Sequence, residues 1–154
     1  MSQTTSSHPA LSATDGIATS TADVALLIGR ILLAWIFIRS GYGKIFDIPA
    51  YAATFPPRGL PYFLAYISVP AEFFGGLAIL FGFATRYFVG IMIVFMLVAT
   101  LSSHRYWEFS GPQLRVQEMN FYKNMAMLGA FFLLFVTGAG RISIDRWLSR
   151  RGNG

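Results

Sequence analysis

The segment YFLAYISVPAEFFGGLAILFGF, residues Tyr62–Phe83, is the strongest evidence in the sequence for the class of fold. It supplies the roughly 20 helical positions that are needed to cross a hydrocarbon core of about 30 Å, and Glu72 is its only charged side chain. Three further apolar stretches have a comparable length: Val24–Gly43, Arg86–Ser103 and Met119–Gly138. The sequence therefore predicts an all-α membrane protein, an antiparallel bundle of four transmembrane helices that contacts the lipid bilayer.

The composition supports this interpretation and excludes several classes of chemistry. Hydrophobic residues make up 55% of the chain and charged residues 12%, whereas about a quarter of the residues in a soluble domain are charged. The chain has no cysteine, which excludes disulfides, thiolate metal sites and thiol redox chemistry within it. His104 lacks the partners of a metal site, so no metal is expected. The net charge of +5 is scattered through the loops and the C-terminus, and does not indicate a nucleic-acid partner.

The segments outside the apolar stretches divide the chain into three parts. Residues 1–22 are rich in Ser, Thr and Ala and are predicted to be a disordered tail, without the features of a secretory signal. Residues 23–146 form the predicted membrane domain, with Asp23 as the N-cap of its first helix. Residues 147–154 form a basic C-terminal tail. Trp147 is expected to anchor the amphipathic segment Arg141–Arg151 at the membrane interface.

An even number of spans places both termini on the same side of the membrane. One side carries five flanking cations: Arg86, Arg141, Arg146, Arg150 and Arg151. The other side carries four: Lys44, Arg58, Arg105 and Arg115. Because cytoplasmic flanks are enriched in Lys and Arg, we expect both termini in the cytoplasm, by this small margin.

Two charged residues lie deep inside the predicted spans. A charge at the membrane centre costs about 2.5–3.5 kcal/mol on insertion scales, so a partner is expected. Glu72 is central in the second span, and Arg30 lies about 9 Å into the first at 1.5 Å per residue. We predict an ion pair between Arg30 and Glu72. Such a pair either fixes helix register or marks a site for a proton or ligand.

Several polar residues lie where the first, third and fourth spans reach the outer surface. The members of this predicted cluster are Lys44, His104, Asn120, Lys123 and Asn124. Cationic and amide groups suit an anionic or carbonyl-bearing ligand, such as a quinone head group or a lipid phosphate. The alternative is helix capping with interfacial snorkelling. With Arg30 and Glu72, these residues are the candidate ligand-binding residues, and no catalytic residue is assigned.

Short motifs in a fixed order carry a resemblance to a known family. They are Arg30 with Gly41-Tyr-Gly-Lys44, Glu72-Phe-Phe-Gly-Gly76, Phe81-Gly-Phe-Ala-Thr-Arg86, Ala99-Thr-Leu-Ser-Ser-His104, Asn120-Phe-Tyr-Lys-Asn124 and Gly138-Ala-Gly-Arg-Ile-Ser-Ile-Asp145. Over about residues 24–146 the chain resembles the DoxX family of small bacterial membrane proteins. The resemblance implies a multi-pass protein of the bacterial cytoplasmic membrane. Some relatives are linked to quinone-coupled sulfur oxidation, and others to redox complexes that counter oxidative stress beside soluble enzymes.

Three hypotheses of function remain open from the sequence. The first is an integral membrane subunit of a quinone-linked or oxidative-stress redox complex, which handles quinone or docks soluble redox enzymes. Under this hypothesis, the chain carries no cofactor of its own. The second is a non-enzymatic scaffold or assembly factor. The third is a small-solute carrier, proton-coupled through Glu72, which would require a homodimer because four spans are few for a transporter.

Overall fold

The structure is a computed structural model that describes residues 9–151, and their side chains from residue 14 onwards. This part of the chain contains six α-helices and no strand. The helices are α1 (Pro9–Ile45), α2 (Ile48–Ala52), α3 (Leu64–Phe81), α4 (Thr85–Ser103), α5 (Gly111–Thr137) and α6 (Ile144–Arg151). Single 3₁₀ turns occupy Pro56–Arg58 and Tyr106–Glu108.

Four of these helices are long and apolar enough to cross a membrane, namely α1, α3, α4 and α5. Helix α1 packs on α3, α3 on α4 and α4 on α5, whereas few residues of α1 and α5 are in contact. The predicted bundle of four transmembrane helices is therefore confirmed. We call the end that carries α2 and both 3₁₀ turns the loop end, and the opposite end the α6 end.

All four spanning helices contribute to one apolar core. Phe37 of α1 contacts Phe131 of α5, with ring centroids 5.4 Å apart, and both side chains are buried. Ile79 of α3 and Met92 of α4 are fully buried in the same cluster. Because lipid tails are as apolar as this core, close packing rather than the hydrophobic effect holds the helices together.

Glycines bring α1 and α3 into close contact. A Cβ added to Gly41 would lie 2.9 Å from the backbone nitrogen of Phe73. A Cβ added to Gly76 would lie 3.1 Å from the backbone nitrogen of Ile38. These two contacts set the register of the antiparallel pair, since no larger side chain fits between the two backbones.

The segment between α1 and α3 folds over the loop end. Ala52 and Phe55 are buried against Ala65 at the start of α3, and Leu60 packs on the same cluster. Pro49 lies in the first turn of α2, which ends at Ala52, and Pro56 begins the 3₁₀ turn that follows. We call this segment, residues 46–63, the cap. It packs beside the start of α3 and the end of α4.

The structure corrects the predicted boundaries of the membrane domain. Helix α1 begins at Pro9, so residues 9–22 are helical and not disordered, while residues 1–8 lie outside the described residues. The hydroxyls of Thr19 and Thr21 donate to the carbonyls of Asp15 and Ile17, each at 2.8 Å, and are thus compatible with the helix. At the other terminus, α6 continues to Arg151 across the predicted boundary, and residues 152–154 lie outside the described part.

Candidate functional site

A buried ion pair links α1 to the middle of α3 near the loop end. Lys44 Nζ donates to Glu72 Oε2 at 2.7 Å, and the Glu72 side chain is only 6% exposed against 24% for Lys44. The same Nζ lies 4.7 Å from the ring centroid of Tyr51 on α2. The ammonium group therefore bridges the buried carboxylate and the cap.

The predicted pair between Arg30 and Glu72 is wrong. Because Gly41 lies against Phe73, Glu72 is level with the end of α1 and not with Arg30. The prediction aligned the two apolar stretches end to end, and hydropathy alone does not fix the register between two helices. Lys44 lies on the same stripe of α1 as Arg30, one turn beyond Gly41, and was the better partner.

Arg30 instead secures the α6 end of the bundle. Its side chain is 1% exposed, and Nη2 donates to the carbonyl of Ile142 between α5 and α6. Gly82 packs directly on the guanidinium, where any side chain would collide with it. Within the described part of the chain, Nε and Nη1 are buried without a hydrogen-bond partner. Asp145 is near enough to interact with Arg30 electrostatically.

Asp145 and Asp23 also stabilise the α6 end, through hydrogen bonds to backbone N–H groups. Asp145 Oδ1 accepts from the backbone nitrogen of Ala84 at 2.7 Å, and Oδ2 from that of Thr85 at 2.9 Å. Asp145 therefore caps the N-terminus of α4 from a distant part of the chain. Asp23, predicted as the first N-cap, accepts from the backbone nitrogen of Arg141 at 2.7 Å instead. The only sequence signal for Asp145 was its position in a family motif.

The predicted cluster at the loop end is divided into separate pairs. Besides the pair of Lys44 with Glu72, they are His104 Nδ1 with Gln117 Oε1 at 2.8 Å, Asn124 Nδ2 with Thr100 Oγ1 at 3.0 Å, and Lys123 Nζ with Asn120 Oδ1 at 2.9 Å. Helix α5 begins at Gly111, so Asn120 and Asn124 lie well inside it rather than at its start. Asn124 is buried and Lys123 is exposed, which places neighbouring members on different faces.

A cavity of about 420 Å³ lies between α3 and α4, below the cap at the loop end. Exposed apolar side chains such as Ile67, Val94 and Val98 line it, so it opens sideways towards the position of the lipid tails. Its polar end holds Arg58, whose Nη1 donates to Ser103 Oγ at 3.3 Å, and Ser102. The sequence does not predict this site, because nothing local to Arg58 shows that the cap carries it to the end of α4.

These features are those of an integral membrane protein. Its cavity is open towards lipid and has polar, cationic side chains at one end. Comparison with known sequences then defines the family. The sequence model of the DoxX family matches residues 25–105, and the chain belongs to this family.

The relatives of this chain include two membrane proteins of Escherichia coli (strain K12). Inner membrane protein YqjF is 37% identical over 129 residues, which cover 84% of this chain and 95% of the relative. Inner membrane protein YphA is 35% identical over 125 residues, or 80% and 89% of the two chains. A protein of Bacillus subtilis (strain 168) named "Putative oxidoreductase CatD" is 30% identical over 79 residues, covering 51% of this chain and 58% of its own. No solved structure matches this chain.

Proposed function

We propose that this protein is the membrane subunit of a quinone-linked redox complex and that the cavity between α3 and α4 is its quinone site. One observation carries the proposal: an apolar cavity of about 420 Å³, open towards lipid, ends in a guanidinium and two hydroxyl groups. The similarity to a relative that is named as an oxidoreductase supports the redox class.

The lining of the cavity fits the two parts of a quinone. Arg58 and Ser103 supply N–H and O–H donors for a ring carbonyl, which accepts hydrogen bonds. The walls formed by Ile67, Val94 and Val98 suit the ring and an isoprenoid tail that continues into the bilayer. A bound quinone supplies reversible transfer of two electrons and two protons.

The ion pair contributes to this site through Tyr51. The ring of Tyr51 lines the cavity, and Lys44 Nζ sits over the ring while it holds Glu72. In our proposal, Lys44 and Glu72 are positioning residues that keep the cap closed over the polar end. Their removal weakens quinone binding indirectly, by releasing Tyr51.

The electrons in this proposal come from a partner protein, because the chain has no cysteine and hence no thiol redox centre. A soluble enzyme that oxidises sulfur compounds or counters oxidative stress is the class of partner that the family resemblance implies. We further propose that the protein lies in a bacterial cytoplasmic membrane with both termini in the cytoplasm. The names of the two Escherichia coli relatives and the five-to-four distribution of flanking cations support this placement.

Photoaffinity labelling tests the location of the site. The purified protein in lipid nanodiscs is incubated with an azido-quinone, illuminated and digested, and the labelled peptides are identified by mass spectrometry. We expect labels on α3 and α4 near the loop end, which excess unlabelled quinone suppresses. Labels spread over all lipid-facing helices, or labels that competition does not suppress, would contradict the assignment and favour the scaffold hypothesis.

A further inference from the structure

The α6 end carries an excess of positive charge that the quinone proposal does not use. Besides the buried Arg30, this end has five exposed arginines among the described residues: Arg86, Arg141, Arg146, Arg150 and Arg151. Two carboxylates, those of Asp145 and Asp23, contact this part of the bundle. Both oxygens of Asp145 accept backbone N–H groups, and Asp23 accepts from the backbone of Arg141 while its Oδ2 lies 3.8 Å from Arg141 Nε. Most of the arginine charge is therefore left for a ligand.

Three of these arginines line one polar groove. The groove has a volume of about 780 Å³ and lies between the start of α4, the end of α5 and α6, with Arg86, Arg141 and Arg146 in its walls. Arg86 Nε and Nη2 donate to the carbonyls of Phe135 and Val136, both at 3.1 Å. These bonds use two of the three guanidinium nitrogens and orient the group at the groove, where it can still bind an anion through the third.

Helix α6, which forms one wall of the groove, is amphipathic. Ile144, Trp147 and Leu148 expose apolar surface on one side, with Trp147 50% exposed. Arg151 stacks on the Trp147 ring at 3.9 Å, and Arg146 and Arg150 lie together on a different side of the helix. Apolar and basic faces on a helix at the end of a spanning bundle are typical of a helix that lies in the membrane interface.

We propose that this groove binds the headgroup of an anionic phospholipid. The arginines match the charge of the phosphate, and the apolar face of α6 reaches the acyl boundary beside it. A soluble phosphate would match the arginines but would leave Trp147 and Leu148 exposed to water. The combination of basic groove and apolar helix face therefore selects a lipid over a free anion.

Quenching of Trp147 by brominated lipids tests this proposal. Trp147 is made the only tryptophan by Trp35→Phe and Trp107→Phe, and the protein is placed in nanodiscs that contain brominated phosphatidylglycerol or brominated phosphatidylcholine at equal mole fraction. We expect phosphatidylglycerol to quench more strongly, because each arginine beside the headgroup raises the affinity for an anionic lipid by about fivefold. The Arg141→Gln/Arg146→Gln variant, which removes two of the three arginines of the groove, should bring the quenching ratio of the two lipids towards one.

Matched variants separate lipid binding from a loss of structure. Arg141→Lys/Arg146→Lys should retain the preference, because charge is conserved, and Arg105→Gln/Arg115→Gln at the loop end should leave it unchanged. Added inorganic phosphate should not displace the lipid. Equal quenching by both lipids in the parent protein, an equal loss in the loop-end variant, or displacement by phosphate would each overturn the proposal.

Discussion

Lys44 Nζ lies 2.7 Å from Glu72 Oε2, and this contact joins the last turn of α1 to the middle of α3. The two ends of the pair differ in their access to solvent, since the Lys44 side chain is 24% exposed and that of Glu72 only 6%. Removing one partner of a buried ion pair destabilises the fold strongly, because the remaining charge is left buried without its counter-charge. The asymmetry in exposure therefore predicts an asymmetry in the effect of substitution.

We expect Lys44→Met to destabilise the protein more than Glu72→Gln does. Lys44→Met leaves a carboxylate buried without its cation, at a cost of about 3–5 kcal/mol, whereas the ammonium group left by Glu72→Gln can reach water. The free energy of unfolding in mixed micelles, measured by circular dichroism, tests this order. The double variant Lys44→Met/Glu72→Leu should recover most of the loss. A larger loss in Glu72→Gln would show that the carboxylate is not the buried partner.

Gly41 should tolerate no side chain. Its added Cβ would meet the backbone of Phe73, which cannot move without shifting α3, so Gly41→Ala should cost about 1–3 kcal/mol of unfolding free energy. Gly29 is the matched control, because it lies in the same helix with nothing within 4 Å of an added Cβ. Gly29→Ala should leave stability unchanged or raise it by up to about 1 kcal/mol. Equal effects of the two substitutions would contradict the described register of α1 and α3.

Asp145 should protect the start of α4 from solvent exchange. Asp145→Ala removes the acceptor for the backbone N–H groups of Ala84 and Thr85, and should cost about 0.5–2 kcal/mol. Hydrogen–deuterium exchange read by mass spectrometry should show faster exchange in the peptide that contains these residues. Asp145→Asn should have a smaller effect, since its amide oxygen still accepts one bond. Unchanged exchange in Asp145→Ala would indicate that Asp145 does not cap the N-terminus of α4.

The sequence predicted the membrane-spanning helices well, because length and hydropathy are local properties. The stretch Tyr62–Phe83 contains all of α3, and Arg86–Ser103 differs from α4 by one residue at its start. The predicted start of α1 was wrong because a Ser- and Thr-rich composition favours disorder, whereas these hydroxyls bond to carbonyls one turn earlier within the helix.

The candidate site was harder to predict, because it depends on contacts between distant parts of the chain. The partner of Glu72 is decided by a glycine contact between two helices, and a charge pattern alone also permits Arg30. The approach of Arg58 to Ser103 depends on how the cap folds over α3. Neither a hydropathy profile nor the spacing of charged residues contains this information.

Quinone affinity in two cavity-filling variants tests whether the cavity between α3 and α4 is the quinone site. Ala71 lines the cavity between α3 and α4, and Ala130 lines a groove of about 450 Å³ between α1 and α5, so Ala71→Trp and Ala130→Trp fill different spaces of similar size. Binding of a short-chain quinone to each purified protein in nanodiscs is measured by equilibrium dialysis. We predict saturable binding that Ala71→Trp weakens at least about tenfold, a change of roughly 1.4 kcal/mol, and that Ala130→Trp leaves unchanged. Binding that does not saturate, or that only Ala130→Trp abolishes, would show that quinone does not bind between α3 and α4.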